Sequence, residues 1–298
     1  MEDKDVGFIG LGNMGRPMVR NLMKSGYVMT VYDVVGTAVE ELATDGAQTA
    51  GSAMEVAQRN RIVITMVPDS ADSEAVIMGK NGVLEGAAAG DTVIDMSSIT
   101  PGSSKRIAAA CEARGVDFLD APVSGGAVGA TNGTMAIMVG GKQEVLDRHM
   151  DMLDVLGGTI VLCGGYGAGS TTKLINQMIV ATNIEGVAEG LVLARRAGLD
   201  PETVYRAIRG GGASSTILDG MAPAMIAGDF TGAFRLRLQY KDLNNALLTG
   251  MELEIPLPVT SLIHQMIGSL INNGKSDLGN IAIANYLEEI SNTTISGK

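Results

Sequence analysis

A lysine followed within one helical turn by two amides, Lys173, Asn176 and Gln177, sits just after the glycine-rich run at 164–169. Residues three and four positions apart share a helix face, so an ammonium and an amide there can act on one group. Such a pair suits the movement of a proton to or from an oxygen, and with His149 and His264 as the only histidines that work falls to lysine or carboxylates. Alone, Lys173 reads more readily as a solvated lysine on an amphipathic helix. The second group is DAPVSGG at 120–126, where Ser124 offers a hydroxyl and Gly125 and Gly126 offer backbone amides able to converge on a carboxylate or phosphate. An ordinary glycine turn is the alternative. The third is GLGNMG: Gly10, Leu11, Gly12, Asn13, Met14 and Gly15. In this pattern the first glycine allows a tight turn, the second lets a pyrophosphate approach the backbone and the third lets a helix pack closely. A further lysine, Lys241 in LQYKDLNNA, is a solvated helix-face residue unless other evidence recruits it.

The elements that must position these groups alternate in type. A strand at 6–9 leads into GLGNMG and a helix stopping at Gly26, and a second strand at 27–32 ends at Asp33. Asp33 lies about 20 residues beyond the glycines, where a carboxylate accepts both hydroxyls of an adenosine ribose. No arginine follows Asp33 to receive a 2′-phosphate, so NAD is preferred, with NADP as the second choice. Strands continue at 47–50, 61–67, 92–96, 116–119, 134–139 and 159–162, with helices between them. Val67 and Pro68 close one strand at the edge where a cofactor would lie, and Ser97 and Ser98 close another, their hydroxyls within reach of a nicotinamide or its ribose. Serines in such places are also plain turn residues. Thr100 and Pro101 form an N-cap with proline in the first turn. Eight strands alternating with helices imply an α/β, doubly wound, mostly parallel Rossmann-type sheet over 1–163. The remainder, 164–298, shows no strand pattern and reads as an all-helical domain, joined by a long interdomain helix at 170–197.

Composition bounds the rest. The chain has 298 residues, 46% of them hydrophobic and 18% charged, which fits a soluble globular protein with ample core. A net charge of -11 argues against a nucleic-acid partner. Cys111 and Cys163 stand far apart with no histidine at ligand spacing, so neither a disulfide framework nor a metal site is expected. No signal peptide and no membrane-spanning run are read, and a cytoplasmic location follows as the expectation. Gly186 and Gly190 on the long apolar helix suggest more buriable surface than one small domain covers, hence a homo-oligomer, dimer or tetramer.

GFIGLGNMG, DAPVSGG, GAGSTTKLINQ and KDLNNA, in this order over nearly the whole chain, resemble the β-hydroxyacid dehydrogenase family. The stretches KLINQMIVATNIEGVAEGL, AIRGGGASSTILD and LPVTSLIHQM are similar to its tartronate semialdehyde reductase subgroup. The resemblance implies hydride transfer between NAD(P) and a small 3-hydroxy acid or its semialdehyde. It implies Lys173 as the catalytic lysine with Asn176 beside it, Ser124, Gly125 and Gly126 as the carboxylate site, and Lys241 against cofactor and substrate. Gln177, taken with the substrate-binding residues, stands where the family often has asparagine, and Leu248 where it often has an acid. Glycerate, 3-hydroxyisobutyrate and 2-(hydroxymethyl)glutarate all fit these motifs, and Ser214, Ser215, Arg235 and Arg237 are candidates for choosing among them. A non-catalytic NAD-binding scaffold is the reading from another class, since the fold alone does not imply chemistry.

Overall fold

The first strand is buried at every position after Asp5, as a strand covered by helices on both faces must be. In the computed structural model, which describes residues 4–232 and 234–297, six strands pair in parallel: β1 (Asp5–Ile9), β2 (Val28–Tyr32), β3 (Gln48–Thr49), β4 (Ile62–Thr65), β5 (Thr92–Asp95) and β6 (Asp117–Asp120). Their order is β3-β2-β1-β4-β5-β6. The direction of winding reverses between β1 and β4, and in such sheets ligands bind outside the carboxyl ends of the strands at that reversal. Ile9 stands opposite both Tyr32 and Thr65, so the ends of the three central strands are level. Three more strands, β7 (Val123–Ser124), β8 (Met135–Gly141) and β9 (Gly157–Gly164), extend the sheet, with β8 antiparallel to β6 and β7 and parallel to β9.

The connecting helices are α1 (Gly15–Lys24), α2 (Gly36–Thr44), α3 (Ala53–Arg59), α4 (Ser70–Met78), α5 (Val83–Gly86), α6 (Pro101–Glu112), α7 (Gly126–Asn132) and α8 (Gln143–Asp154). Successive strand residues fall alternately into two apolar clusters: Phe8, Ile64, Ile94 and Leu119 into one, Ile9, Val63, Val93 and Phe118 into the other. That is the period of two expected of a sheet packed on both faces. Thr100 caps α6 as read, accepting the Ser103 N–H at 3.2 Å with Pro101 in the first turn.

After β9 the chain enters α9 (Ala168–Arg196), 29 residues long. The chain divides into two compact units, Met1–Lys173 and Leu174–Lys298, within this helix. The second unit continues with α10 (Pro201–Ile208), α11 (Thr216–Ala227), α12 (Leu236–Glu252), α13 (Pro258–Asn272), a 3-10 turn (Asn280–Ala282) and α14 (Ile283–Ser291). Ala181, Ile184, Ala188 and Leu191 recur at helical spacing on α9 and share a core with Leu218, Leu243, Ile267 and Leu287. Its β structure, among the described residues, is a single antiparallel bridge between Arg235 and Gly279.

Candidate active site

Asp33 and the glycine turn are joined directly. The Leu11 N–H donates to Asp33 Oδ2 at 2.6 Å and the Val35 N–H to Oδ1 at 2.8 Å, so one carboxylate ties the turn after β1 to the chain leaving β2. Two of the three glycines are required by the protein itself. A Cβ on Gly10 would lie 2.2 Å from the Met66 carbonyl oxygen, and one on Gly15 would lie 1.9 Å from that of Gly10. Gly12 differs: nothing lies within 4 Å of where its Cβ would be, so an occupant from outside is what a side chain there would obstruct. Asn13 is exposed and Met14 half-buried, and α1 begins with no side-chain cap; the Arg16 N–H donates to the Gly12 oxygen at 3.3 Å and Pro17 has none, so the Gly15 amide is the first-turn donor that could meet an anion.

Beyond β4 come Val67, half-buried, and Pro68, exposed. Ser97 does not present its hydroxyl as expected. It is 1% exposed, its Oγ accepts the Val67 N–H at 2.9 Å, and its own N–H donates to Asp95 Oδ1 at 3.1 Å. It fastens the ends of β4 and β5 together and so fixes the Val67 backbone. Ser98, half-buried, is the serine of this pair nearer the surface.

The two glycine-rich motifs further on meet at Asp120. This residue is 1% exposed, and its carboxylate accepts the Gly167 N–H and the Ser170 N–H, each at 2.8 Å. Burial pushes its pKa up to about 6, against the pull of those amides. The Ser170 hydroxyl meets that of Ser104 at 2.8 Å. Gly169 permits the approach: a Cβ there would lie 2.3 Å from the Met138 oxygen and 2.4 Å from that of Asp120. The start of α9 is thus pressed onto β6 and β8, and Lys173, one turn on, is 7% exposed. Burial sets aside the solvated-lysine alternative. Ser124 lies in β7, paired with Ala136, and Gly125 and Gly126 follow it exposed, with φ of 140° and 60°.

In the second unit, Asn176 Nδ2 donates to Gln177 Oε1 at 2.9 Å, and Gln177 Nε2 donates to Asp242 Oδ2 at 2.6 Å. Lys241 Nζ stands 3.1 Å from Asp242 Oδ1. Asp242 and Gln177 are 2% and 4% exposed. Of the candidate selectors, Ser215 caps α11 by accepting the Leu218 N–H, and Arg235 and Arg237 pair with Asp277. Neither Asp120 nor Asp242 is foreseen from the sequence, although each stands inside a motif singled out there, as the first residue of DAPVSGG and the second of KDLNNA. Cys111 is buried, with its thiol pushed up to about 12, and His149 is a core residue whose pKa burial lowers to about 4. Neither is equipped for chemistry at neutral pH.

Comparison with known proteins agrees with this arrangement. Residues 5–165 match the model of the NAD binding domain of 6-phosphogluconate dehydrogenase, and residues 167–287 that of the NAD-binding domain of NADP-dependent 3-hydroxyisobutyrate dehydrogenase. The chain is 42% identical to 2-hydroxy-3-oxopropionate reductase of Escherichia coli (strain K12), over 96% of this chain and 98% of that one. The chain belongs to the β-hydroxyacid dehydrogenase family. A second relative, 2-(hydroxymethyl)glutarate dehydrogenase of Eubacterium barkeri, is 37% identical over 98% and 97% of the two chains. Among solved structures, 3-hydroxyisobutyrate dehydrogenase of Mycobacterium tuberculosis with L-serine superposes with a TM-score of 0.88 at 32% identity, covering 96% of this chain and 99% of that one.

As a member of this family the chain is an NAD(P)-dependent oxidoreductase, and the scaffold reading is set aside. The open space over Gly12, the uncapped start of α1 and the anchored Asp33 fit a dinucleotide. Among the described residues no cluster of three or more His, Cys, Asp or Glu is gathered as a metal ion would need, and no helix is long and apolar enough to cross a membrane.

Proposed function

We propose that this β-hydroxyacid dehydrogenase interconverts tartronate semialdehyde and glycerate, with Lys173 moving the proton. The observation that carries the reading is Lys173 itself, a buried lysine one turn into a helix whose start is clamped by Asp120. Reduction of an aldehyde needs a hydride at carbon and a proton at oxygen. The bound nicotinamide supplies or takes the hydride. The Lys173 ammonium gives the proton to the oxygen, and in the oxidative direction its amine removes it. Asn176, three residues along the same helix, orients the hydroxyl or the lysine. The Ser124 hydroxyl and the Gly125 and Gly126 amides hold the substrate carboxylate, so that the reacting carbon is presented in one orientation. Gly10 to Gly15, Asp33, Val67, Pro68, Ser98 and Lys241 hold the cofactor. Gln177 acts behind Asn176, a reading that its hydrogen bonds to Asn176 and Asp242 support.

Similarity to the Escherichia coli reductase favours tartronate semialdehyde over methylmalonate semialdehyde, the oxidised form of 3-hydroxyisobutyrate, and over the semialdehyde of 2-(hydroxymethyl)glutarate. Asp33 favours NADH over NADPH, because a 2′-phosphate would face its carboxylate. Oligomerisation into a dimer or tetramer belongs to the same reading. Initial rates with each aldehyde and each cofactor test the assignment: tartronate semialdehyde with NADH is expected to win by orders of magnitude. Lys173→Ala is expected to lose about 10²- to 10⁴-fold in kcat while NADH still binds. Unchanged kcat would remove Lys173 from its role.

A further inference from the structure

We propose that Asp242 is a positioning residue that decides which end of the Asn176 amide is offered to the reaction. The proposal rests on the role given above to Asn176. An ionised carboxylate only accepts hydrogen bonds. The Gln177 group 2.6 Å from Asp242 Oδ2 is therefore its NH₂ end, and Gln177 Oε1 must lie on the opposite side. There it accepts Asn176 Nδ2 at 2.9 Å. Oxygen and nitrogen of a carboxamide have nearly the same shape, so neither amide could choose an orientation by packing alone. The carboxylate makes the choice for both. Every donor in the relay points toward Asp242, which turns Asn176 Nδ2 inward and leaves Oδ1 as the outward acceptor. An acceptor is what a substrate hydroxyl or a lysine N–H requires.

The relay is braced. Gln239 Nε2 donates to the Gln177 main-chain oxygen at 3.3 Å, and Asn280 Nδ2 donates to Gln239 Oε1 at 3.2 Å. The carboxylate, 2% exposed, also has a cation beside it. Lys241 Nζ stands 3.1 Å from Oδ1 as its ion-pair partner. One aspartate thus sets the polarity of Asn176 and holds Lys241.

Asp242→Asn keeps the shape and removes the acceptor-only character, so Gln177 and then Asn176 lose their fixed orientation. Asp242→Glu keeps an acceptor. The full-length wild type and both variants would be compared for kcat and KM with NADH and tartronate semialdehyde, NADH dissociation by fluorescence, and the Asn176 side-chain NH₂ resonances after ¹⁵N-asparagine labelling. For Asp242→Asn, kcat is expected to fall about 10- to 100-fold, the loss of one charge-assisted hydrogen bond. NADH affinity should change far less, and the Asn176 resonances should lose their hydrogen-bonded shift. Asp242→Glu should recover part of both. Should Asp242→Asn not fold, Gln177→Met breaks the relay while leaving the Asp242–Lys241 pair, and the same fall in kcat is expected. A folded Asp242→Asn enzyme with wild-type kcat, or one retaining the Asn176 shift, overturns the proposal. A wild type with the bonded Asn176 shift but no turnover of any semialdehyde instead overturns the reductase reading, and the positioning role falls with it.

Discussion

A carboxylate that accepts the Leu11 and Val35 amides still has a lone pair free on each oxygen, so Asp33 can hold the glycine turn and two ribose hydroxyls together. Asp33→Asn would put an NH₂ group against one of those N–H donors and remove the charge that faces a 2′-phosphate. Because Asp33 is half-exposed, a loss of about tenfold in kcat/KM for NADH is expected, near the lower end for a charged hydrogen bond, with NADPH affected much less. An unchanged NADH-to-NADPH ratio would show that Asp33 does not read the ribose. Asp33 is legible in the sequence because its distance from the glycines is set by one β-α-β unit, a local matter. Ser97 is misread there because the partner of its hydroxyl, Val67, lies 30 residues away on the neighbouring strand. Asp120 and Asp242 escape for the same reason, their partners lying 47 to 65 residues away in sequence. Residue type and spacing show what a side chain can do, whereas its partner is decided by the fold.

The start of α9 depends on Gly169 more than on any cap. With its Cβ position 2.3 Å from the Met138 oxygen, Gly169→Ala must push the helix off β8 or distort the strand. Overpacking of this kind costs about 1–3 kcal/mol. Since Lys173 is carried on the next turn, kcat should fall with stability, while NADH affinity, which the proposed reading assigns to the turn after β1, should hold. Measuring the three together tests this, and a Gly169→Ala enzyme of normal stability and kcat would show that the helix has slack. Elements with strong local signals are readable in advance: α6 has its threonine cap and proline, and α9 ends near Gly198 as its glycine stop suggests. The elements that escape lack such signals. β7 has two residues, α5 has four, and α7 (GAVGATN) carries one large apolar side chain, so no periodicity can reveal it. All three are formed by what they pack against. Asn21 Nδ2, for instance, donates to the Ala130 carbonyl at 2.8 Å, joining α1 to α7.

Across the whole molecule, buried titratable groups make stability depend on pH in an unusual direction. Burial raises Asp120 to about 6 and, with help from the charge of Glu189, raises Glu185 to about 7. Both carboxyls titrate near 4 in an unfolded chain. The folded protein therefore binds their protons more tightly, and the stability they contribute is complete below about pH 4 and lost as pH rises through 6 and 7. His149 works the other way: lowered to about 4 from an unfolded value near 6.5, it contributes stability above about 6.5 that is lost as pH falls toward 4. Between pH 4 and 6 the raised carboxyls, Asp95 among them, oppose the two lowered histidines, His149 and His264, and Glu185 goes on titrating up to about 7. The net charge of -11 adds self-repulsion that also grows with pH. Tm should therefore peak in mildly acidic buffer and decline toward pH 8. Among the described residues neither Glu185 oxygen has a hydrogen-bond partner, so Glu185→Gln removes a buried charge without taking an acceptor from any existing donor. That variant should melt about 2–4 °C above the wild type at pH 8 and within about 1 °C of it at pH 5, for a chain of this size. A Tm that climbs steadily to pH 8, or a Glu185→Gln variant that gains no more at pH 8 than at pH 5, would mean that Glu185 is balanced by a charge in solution and that any decline has another source.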